Sequence, residues 1–184
     1  TLAELALPIM ASSLLGTAYN ITDMAWIGML GSKAVAGVGV GGMYVWLSQG
    51  LVALPRMGGQ VNVAQACGRG DYEQARGYAA SALRLTFLLG ILFAAVCIVF
   101  IHPLLGFFNL GDAETYTAAK LYTLITCGLI LFSFLNLTLT GLSTAQGDSK
   151  TPLMANLLGL VGNMILDPIL ILGFGPFPRL EVVG

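Results

Sequence analysis

The stretch that decides the fold is residues 85–111, LTFLLGILFAAVCIVFIHPLLGFFNLG, which holds 27 residues without an Asp, Glu, Lys or Arg. A helix that crosses the hydrocarbon core of a bilayer needs about 20 mostly apolar residues. The stretch is long enough for one such crossing and too short for two. It therefore predicts a transmembrane helix.

Four further windows have the same character. Residues 34–55 and 121–147 carry no charge, whereas residues 5–32 contain only Asp23 and residues 151–178 contain only Asp167. We therefore expect an all-α, polytopic membrane protein. Its five transmembrane helices are predicted near residues 5–29, 34–58, 80–103, 119–145 and 152–174.

Composition excludes most other classes of protein. The chain is 57% hydrophobic and 9% charged, whereas a soluble domain carries about 25% charged residues. A net charge of −1 leaves no basic surface for nucleic acid. Cys67, Cys97 and Cys127 are dispersed, which is typical of small apolar core residues rather than of a metal site or disulfide framework. No catalytic constellation is present, so we expect neither an enzyme nor a cofactor.

The distribution of Lys and Arg predicts the orientation in the membrane. Five of these residues flank the second and fourth connections and three lie on the opposite side: Arg56, Arg69, Arg76, Arg84 and Lys150 against Lys33, Lys120 and Arg179. The bias places the N-terminus in the cytoplasm, with the protein in the cell (inner or plasma) membrane. The chain begins without Met and ends soon after the fifth span, so we expect it to be part of a longer protein.

Polar residues follow single stripes on four of the predicted helices. The stripes are Ser12, Gly16, Tyr19, Asn20 and Asp23 in the first; Gly37, Gly41, Tyr44 and Ser48 in the second; Ser133, Asn136, Thr140, Ser143 and Thr144 in the fourth; and Asn156, Gly159, Asn163 and Asp167 in the fifth. Such groups must face one another or water. For the Ser and Thr residues we favour hydrogen bonds between helices, worth about 0.6 kcal/mol each. Gly37 and Gly41 form a GxxxG pattern that predicts close helix packing.

Asp23 and Asp167 require a different explanation, because a carboxylate at the centre of a membrane helix costs about 2.5–3.5 kcal/mol. Both are expected on the outer side of the midplane, at similar depth. Tyr19 and Asn20 share the face of Asp23, and Asn163 precedes Asp167 by one helical turn. The pair could exchange a proton, or carboxylate and amide oxygens could hold Na⁺. The alternative is that each Asp is held by an amide and serves only packing.

Pro168, directly after Asp167, removes a backbone N–H and predicts a bend in the fifth helix. The carbonyl freed by this proline would add one more oxygen to the same region. Broken or bent helices near the midplane recur in secondary transporters.

Several short motifs occur in a characteristic order along the chain. They are YNITD (19–23) followed by WIG (26–28), QACGRGD (65–71), QGDSKTP (146–152), GNMILDP (162–168) and GFGPFP (173–178). Together they resemble the multidrug and toxic compound extrusion (MATE) family, from its first helix to just before its sixth.

The resemblance implies a twelve-helix transporter built from two six-helix bundles, which exports organic cations and other drugs in exchange for Na⁺ or H⁺. This chain, residues 1–184, resembles most of the N-terminal bundle, without the sixth helix and the C-terminal bundle. In similar members the cation site is lined by residues that correspond to Asp23, Asp167, Asn163 and Asn136. Tyr19 corresponds to a hydrogen-bond partner of Asp23, and Na⁺ would be held by Asp23, Asn163 and Asp167.

Three alternatives remain open. A lipid-linked saccharide flippase of the same superfamily would carry an anionic diphosphate and would call for Arg or Lys in its cavity, whereas the charges deep in these spans are acidic. A membrane scaffold predicts that loss of both Asp residues changes no flux. A membrane enzyme lacks any catalytic group here.

Overall fold

The computed structural model describes residues 2–29 and 31–172, and the regular structure in these residues is α-helical throughout. The predicted all-α class is confirmed. The helices, in chain order, are α1 (Leu2–Gly28), α2 (Ser32–Gly68), α3 (Tyr72–Val99), α4 (Ile101–Gly106), α5 (Ala113–Gly128), α6 (Ile130–Ala145) and α7 (Lys150–Leu172).

Two of the described helices are long and apolar enough to cross a membrane by themselves, α2 from Val35 onward and α3. The pair α5 and α6 meets the same criterion when taken together, so the described residues hold up to three such spans. The first and fifth predicted spans correspond to α1, with 27 residues, and α7, with 23 residues.

The second predicted span differs from the structure at its C-terminal end. We expected a span near residues 34–58, but α2 continues without interruption to Gly68. The added turns carry exposed polar residues such as Asn62 and Gln65. A helix that leaves the bilayer can continue in water, so an apolar window marks the width of the hydrocarbon rather than the end of the helix.

The third and fourth predicted spans are each interrupted. The third predicted span, near residues 80–103, is divided between α3 and the short α4, with the break at Phe100. The fourth, near residues 119–145, is divided between α5 and α6, which meet at Leu129 with a bend of 46°. A helix-breaking residue lies beside each break, because Pro103 follows Phe100 by three residues and Gly128 directly precedes Leu129. The spans were predicted from the absence of charge, which takes no account of these residues, so continuous helices were expected.

Two tight turns connect helices at one end of the bundle. After α2, Gly70 adopts a φ of +76°, and the Asp71 N–H donates to the Ala66 carbonyl at 3.0 Å. The Asp71 carboxylate then caps α3 by accepting from the Gln74 N–H at 3.0 Å. This is the αL termination that favours glycine.

The turn between α6 and α7 repeats this arrangement. Gly147 has a φ of +86°, and the Asp148 N–H donates to the Ser143 carbonyl at 3.1 Å. Asp148 Oδ1 accepts from the backbone N–H groups of Lys150 and Thr151. A hydrogen bond from the Thr151 side chain, together with these backbone bonds, holds the pKa of the Asp148 carboxyl below its usual range. Both turns reverse the chain within a few residues.

α2 is the central helix and packs against α3, α5 and α6. It runs alongside α5 in the same direction, because Lys33 contacts Glu114 at one end and Gly41 lies against Tyr122 and Thr123 two turns later. A Cβ at Gly37 would lie 3.0 Å from the backbone nitrogen of Ala119. The predicted role of Gly37 and Gly41 in close helix packing is confirmed.

The interior between α2, α3 and α6 is apolar with a few satisfied hydroxyl groups. Val52 and Phe134 are fully buried in its centre. Thr86 Oγ1 and Thr138 Oγ1 lie 2.9 Å apart and link α3 to α6. The outer surface of α3 is strongly apolar, with Leu88 65% exposed.

Candidate functional site

The two helices that carry the predicted carboxylates are packed together. α1 contacts α7 far more extensively than it contacts α2. Asp23 lies five residues before the last residue of α1, Gly28, and Asp167 lies five residues before the last residue of α7, Leu172. The side chains of both Asp residues fall outside the part of the structure that is described.

The residues predicted to support these carboxylates are described only in part. The side chains of Tyr19 in α1 and Pro168 in α7 also lie outside the described part. Asn20 is exposed and borders a cleft between α1 and α2. Asn163 is half-buried in α7 and takes part in an interaction.

Asn136, the predicted contribution of the fourth helix, is exposed on α6. α6 packs mainly against α2 and α3 and only slightly against α7. Among the residues whose side chains are described, none forms a hydrogen bond with Asn136. Its part in a cation site stays a prediction, as does the Na⁺ set of Asp23, Asn163 and Asp167.

Within residues 2–29 and 31–172, no group of three or more described His, Cys, Asp or Glu side chains could hold a metal ion. The carboxylates of Asp23 and Asp167 are not among these described side chains.

The polar stripe predicted on α2 is largely used within the bundle. The Tyr44 hydroxyl donates to the Leu104 carbonyl of α4 at 2.7 Å. Ser48 is fully buried, and its hydroxyl donates to the Val45 carbonyl at 2.6 Å. The Tyr44 bond links α2 to α4, whereas the Ser48 bond lies within α2. Neither hydroxyl group has a proton left to donate to a ligand.

The neighbouring face of α2 lines a cleft of about 660 Å³ that α1 closes on one side. Its largest side chains are strongly exposed, with Trp46 at 78% and Met43 at 58%. Asn20 and Met24 of α1, Gln49 of α2 and Tyr122 of α5 complete the wall.

Sequence reasoning missed this face. The sequence does carry a helical periodicity here, with intervals of three and four residues that place on one face Gly39, Gly42, Met43, Trp46 and Gln49. Apart from Gln49 these residues are apolar or small, so they could not be told from a surface that faces lipid.

A charged cluster closes the end of the bundle where α2 and α5 begin. Lys33 Nζ lies 3.1 Å from Asp112 Oδ2 and 2.7 Å from Glu114 Oε2. Hydrogen bonds to these carboxylates raise the pKa of Lys33, and the ammonium group in turn holds the pKa of Asp112 below its usual range. The cluster is solvent-exposed, so it orients the loop before α5 and adds little stability.

The sequence of the chain is similar to one protein family and to individual proteins of known name. The sequence profile of the family described as MatE matches residues 8–169. The chain is 28% identical over 183 residues to a protein of Shewanella oneidensis named FAD transporter, covering 100% of this chain and 40% of that protein. It is 29% identical over 184 residues to a probable multidrug resistance protein NorM of Thermotoga maritima, covering 100% of this chain and 39% of that one.

Solved structures share the same arrangement of helices. A crystal structure described as MATE in complex with MaD3S superposes with a TM-score of 0.82 at 28% identity, covering 97% of this chain and 40% of that one. The chain thus spans about 40% of the length of the relatives it matches.

Proposed function

The chain belongs to the MatE family, and we propose that it forms the N-terminal bundle of a secondary active multidrug efflux transporter. Proteins of this family are transporters rather than enzymes. The C-terminal bundle of the same protein and the lipid bilayer are the partners that this half requires. The membrane is the cell membrane, with the N-terminus in the cytoplasm, as the distribution of Lys and Arg predicts.

The coupling site in this proposal consists of Asp23 and Asp167 with Asn163. The observation that carries it is the packing of α1 against α7, two helices that each bear one Asp five residues before their end. Two negative charges on adjoining helices repel each other, so neutralisation by H⁺ or Na⁺ would allow α1 and α7 to approach more closely. Cation binding would then shift the bundle between two conformations.

The cleft beside α2 supports an organic cation as the exported compound. The face of Trp46 can attract a cation, and flexible side chains such as Met24 and Met43 accommodate ligands of different shape. None of the described residues that line this cleft is Lys or Arg. A substrate of the kind that the name of the Shewanella relative states, or a lipid-linked diphosphate, would need cationic groups there.

Drug export and cation entry are coupled if each ligand favours a different conformation. Such coupling is a free energy shared by both sites, so it must be reciprocal. The drug should therefore weaken cation binding by the same factor by which the cation weakens drug binding.

Efflux from proteoliposomes tests the coupling site. The complete transporter is reconstituted, and dye efflux is driven by a Na⁺ gradient or by a pH gradient, each imposed separately. Asp23→Asn and Asp167→Asn should each abolish driven efflux while leaving insertion intact. Glu73→Gln, which neutralises an exposed carboxylate in the first turn of α3, is the matched control. Efflux at the wild-type rate from either Asp variant would refute the assignment.

A further inference from the structure

A second cavity, of about 240 Å³, lies at the opposite end of the bundle from Asp23 and Asp167. It is enclosed by α1, α2, α6 and the first turn of α7. Its polar lining consists of Ser13, Arg56, Gln60, Thr140, Thr144 and Ser149. Pro152, at its edge, precedes Asp167 by 15 residues, or roughly 22 Å along the helix, so the cavity is separate from the proposed coupling site.

Arg56 is the cationic side chain of this lining. Its Nε is buried and has no hydrogen-bond partner in the described structure. No described carboxylate forms an ion pair with it, and the ion pairs among the described side chains are those of Lys33. Arg56 as a whole is half-buried, and its positively charged guanidinium offers only hydrogen-bond donors. A buried donor that lacks an acceptor is unfavourable. Arg56 therefore calls for an anion.

The backbone of α6 holds Arg56 in place. A Cβ at Gly141 would lie 3.1 Å from Arg56 Cγ, so the glycine allows the aliphatic part of the arginine side chain to lie directly on α6. A side chain confined in this way loses little further freedom when it binds a ligand.

The other lining groups suit an oxyanion. Gln60 carries an amide N–H₂, and Thr140 and Ser149 carry hydroxyl groups that can donate to an anionic oxygen. Ser149 is only 6% exposed. The described lining contains no Asp or Glu that would repel an anion. The volume is many times that required by one water molecule, so a tetrahedral group can enter with part of its hydration.

We propose that this cavity binds a phosphate group, with Arg56 as the charged ligand and Gln60, Thr140 and Ser149 as neutral donors. The phosphate belongs either to a soluble anion or to the headgroup of an anionic lipid. The site is independent of the proposed drug export, so it can be tested without any measurement of efflux.

The test measures phosphate binding to the complete transporter in maltoside detergent, which contains no phosphate. Inorganic phosphate is titrated against chloride of equal ionic strength, and the thermal midpoint is followed. Phosphate should raise the midpoint of the wild-type protein, and Arg56→Gln should weaken the apparent affinity about tenfold or more. Arg84→Gln, which removes an exposed arginine of α3 outside this cavity, should bind as the wild type does.

Two results would overturn the proposal: equal stabilisation by phosphate and chloride in the wild-type protein, or an unchanged phosphate affinity in Arg56→Gln. If Arg56→Gln does not fold, Ser149→Ala carries the test, since it keeps the guanidinium and removes one donor. Its affinity for phosphate should fall by a smaller factor, and an unchanged affinity would contradict the site.

Added phosphatidylglycerol identifies the source of the phosphate. If a lipid headgroup occupies the cavity, the lipid abolishes the response to inorganic phosphate and stabilises the wild-type protein more than Arg56→Gln. If the natural ligand is soluble, the phosphate response persists in the lipid. Both results support an oxyanion site at Arg56.

Discussion

The contact between α2 and α5 predicts that Gly41→Ala destabilises the bundle, although alanine favours helices. A Cβ at position 41 would lie 2.8 Å from Thr123 Oγ1 and closer still to the ring of Tyr122. Thr123 is fully buried and Tyr122 is half-buried, so neither can move aside without disturbing its neighbours. Gly42, the next residue, has nothing within 4 Å of the corresponding position.

The comparison of these two glycines isolates the steric cost. Replacement of a helical glycine by alanine gains up to about 1 kcal/mol from backbone entropy, and both variants share that gain. Insertion of an extra methyl group into a packed interior costs about 1–3 kcal/mol. Gly41→Ala should therefore be less stable than Gly42→Ala by about 1–3 kcal/mol, whereas Gly42→Ala should equal or exceed the wild-type protein in stability.

The assay is reversible unfolding of the complete transporter in mixed micelles, with the mole fraction of a denaturing detergent as the variable. The free energy of unfolding is compared between Gly41→Ala, Gly42→Ala and the wild-type protein at one temperature. Equal stabilities for the two variants would refute the close approach of α2 to α5, and with it the explanation of the GxxxG pattern.

Three further predictions follow from other contacts. Lys33→Met should lower the thermal midpoint slightly at neutral pH. Because Lys33 holds the pKa of Asp112 low, the difference in thermal midpoint between Lys33→Met and the wild-type protein should vanish as the pH falls through the range in which Asp112 becomes protonated. A difference in midpoint that persists at low pH would contradict the ion pair. Thr138→Val removes the bond to Thr86 between α6 and α3 and should cost about 0.6 kcal/mol in the same micelle unfolding assay. Trp46→Ala should weaken the binding of an organic cation such as ethidium roughly 2- to 30-fold, whereas Trp46→Phe should retain part of the affinity. Equilibrium fluorescence titration measures the affinity of both variants. Unchanged binding in Trp46→Ala would show that the cleft beside α2 is not the site at which the cation binds.

The number and order of the long apolar segments could be predicted from sequence, because the exclusion of charge from hydrocarbon is strong and local. Helix ends could not be predicted in the same way. α2 extends to Gly68 because polar residues such as Asn62 stay helical in water. The break at Leu129 lies between two apolar segments, and there the packing of α5 and α6 against their neighbours decides the path of the chain.

Polar residues were easier to recognise than to assign. Tyr44 and Ser48 follow one stripe with Gly37 and Gly41, and the structure uses that stripe for contacts within the bundle. Asn136 belongs to a similar stripe on α6 and is exposed. A stripe shows that a face avoids lipid, but it does not distinguish a face that contacts a neighbouring helix from one that faces a cavity.

The role of a charged residue, Arg56, was equally difficult to assign from sequence. At the end of an apolar window it served as an indicator of orientation, since arginine near a span end usually extends toward the cytoplasm. In the structure Arg56 is a residue of α2 whose Nε is buried and whose aliphatic side-chain carbons pack against α6. The difference arises from Gly141, which is 85 residues away in the sequence and leaves room for the arginine to lie against α6. Whether a cation near a membrane boundary orients the chain or binds a ligand is therefore decided by the residue opposite it.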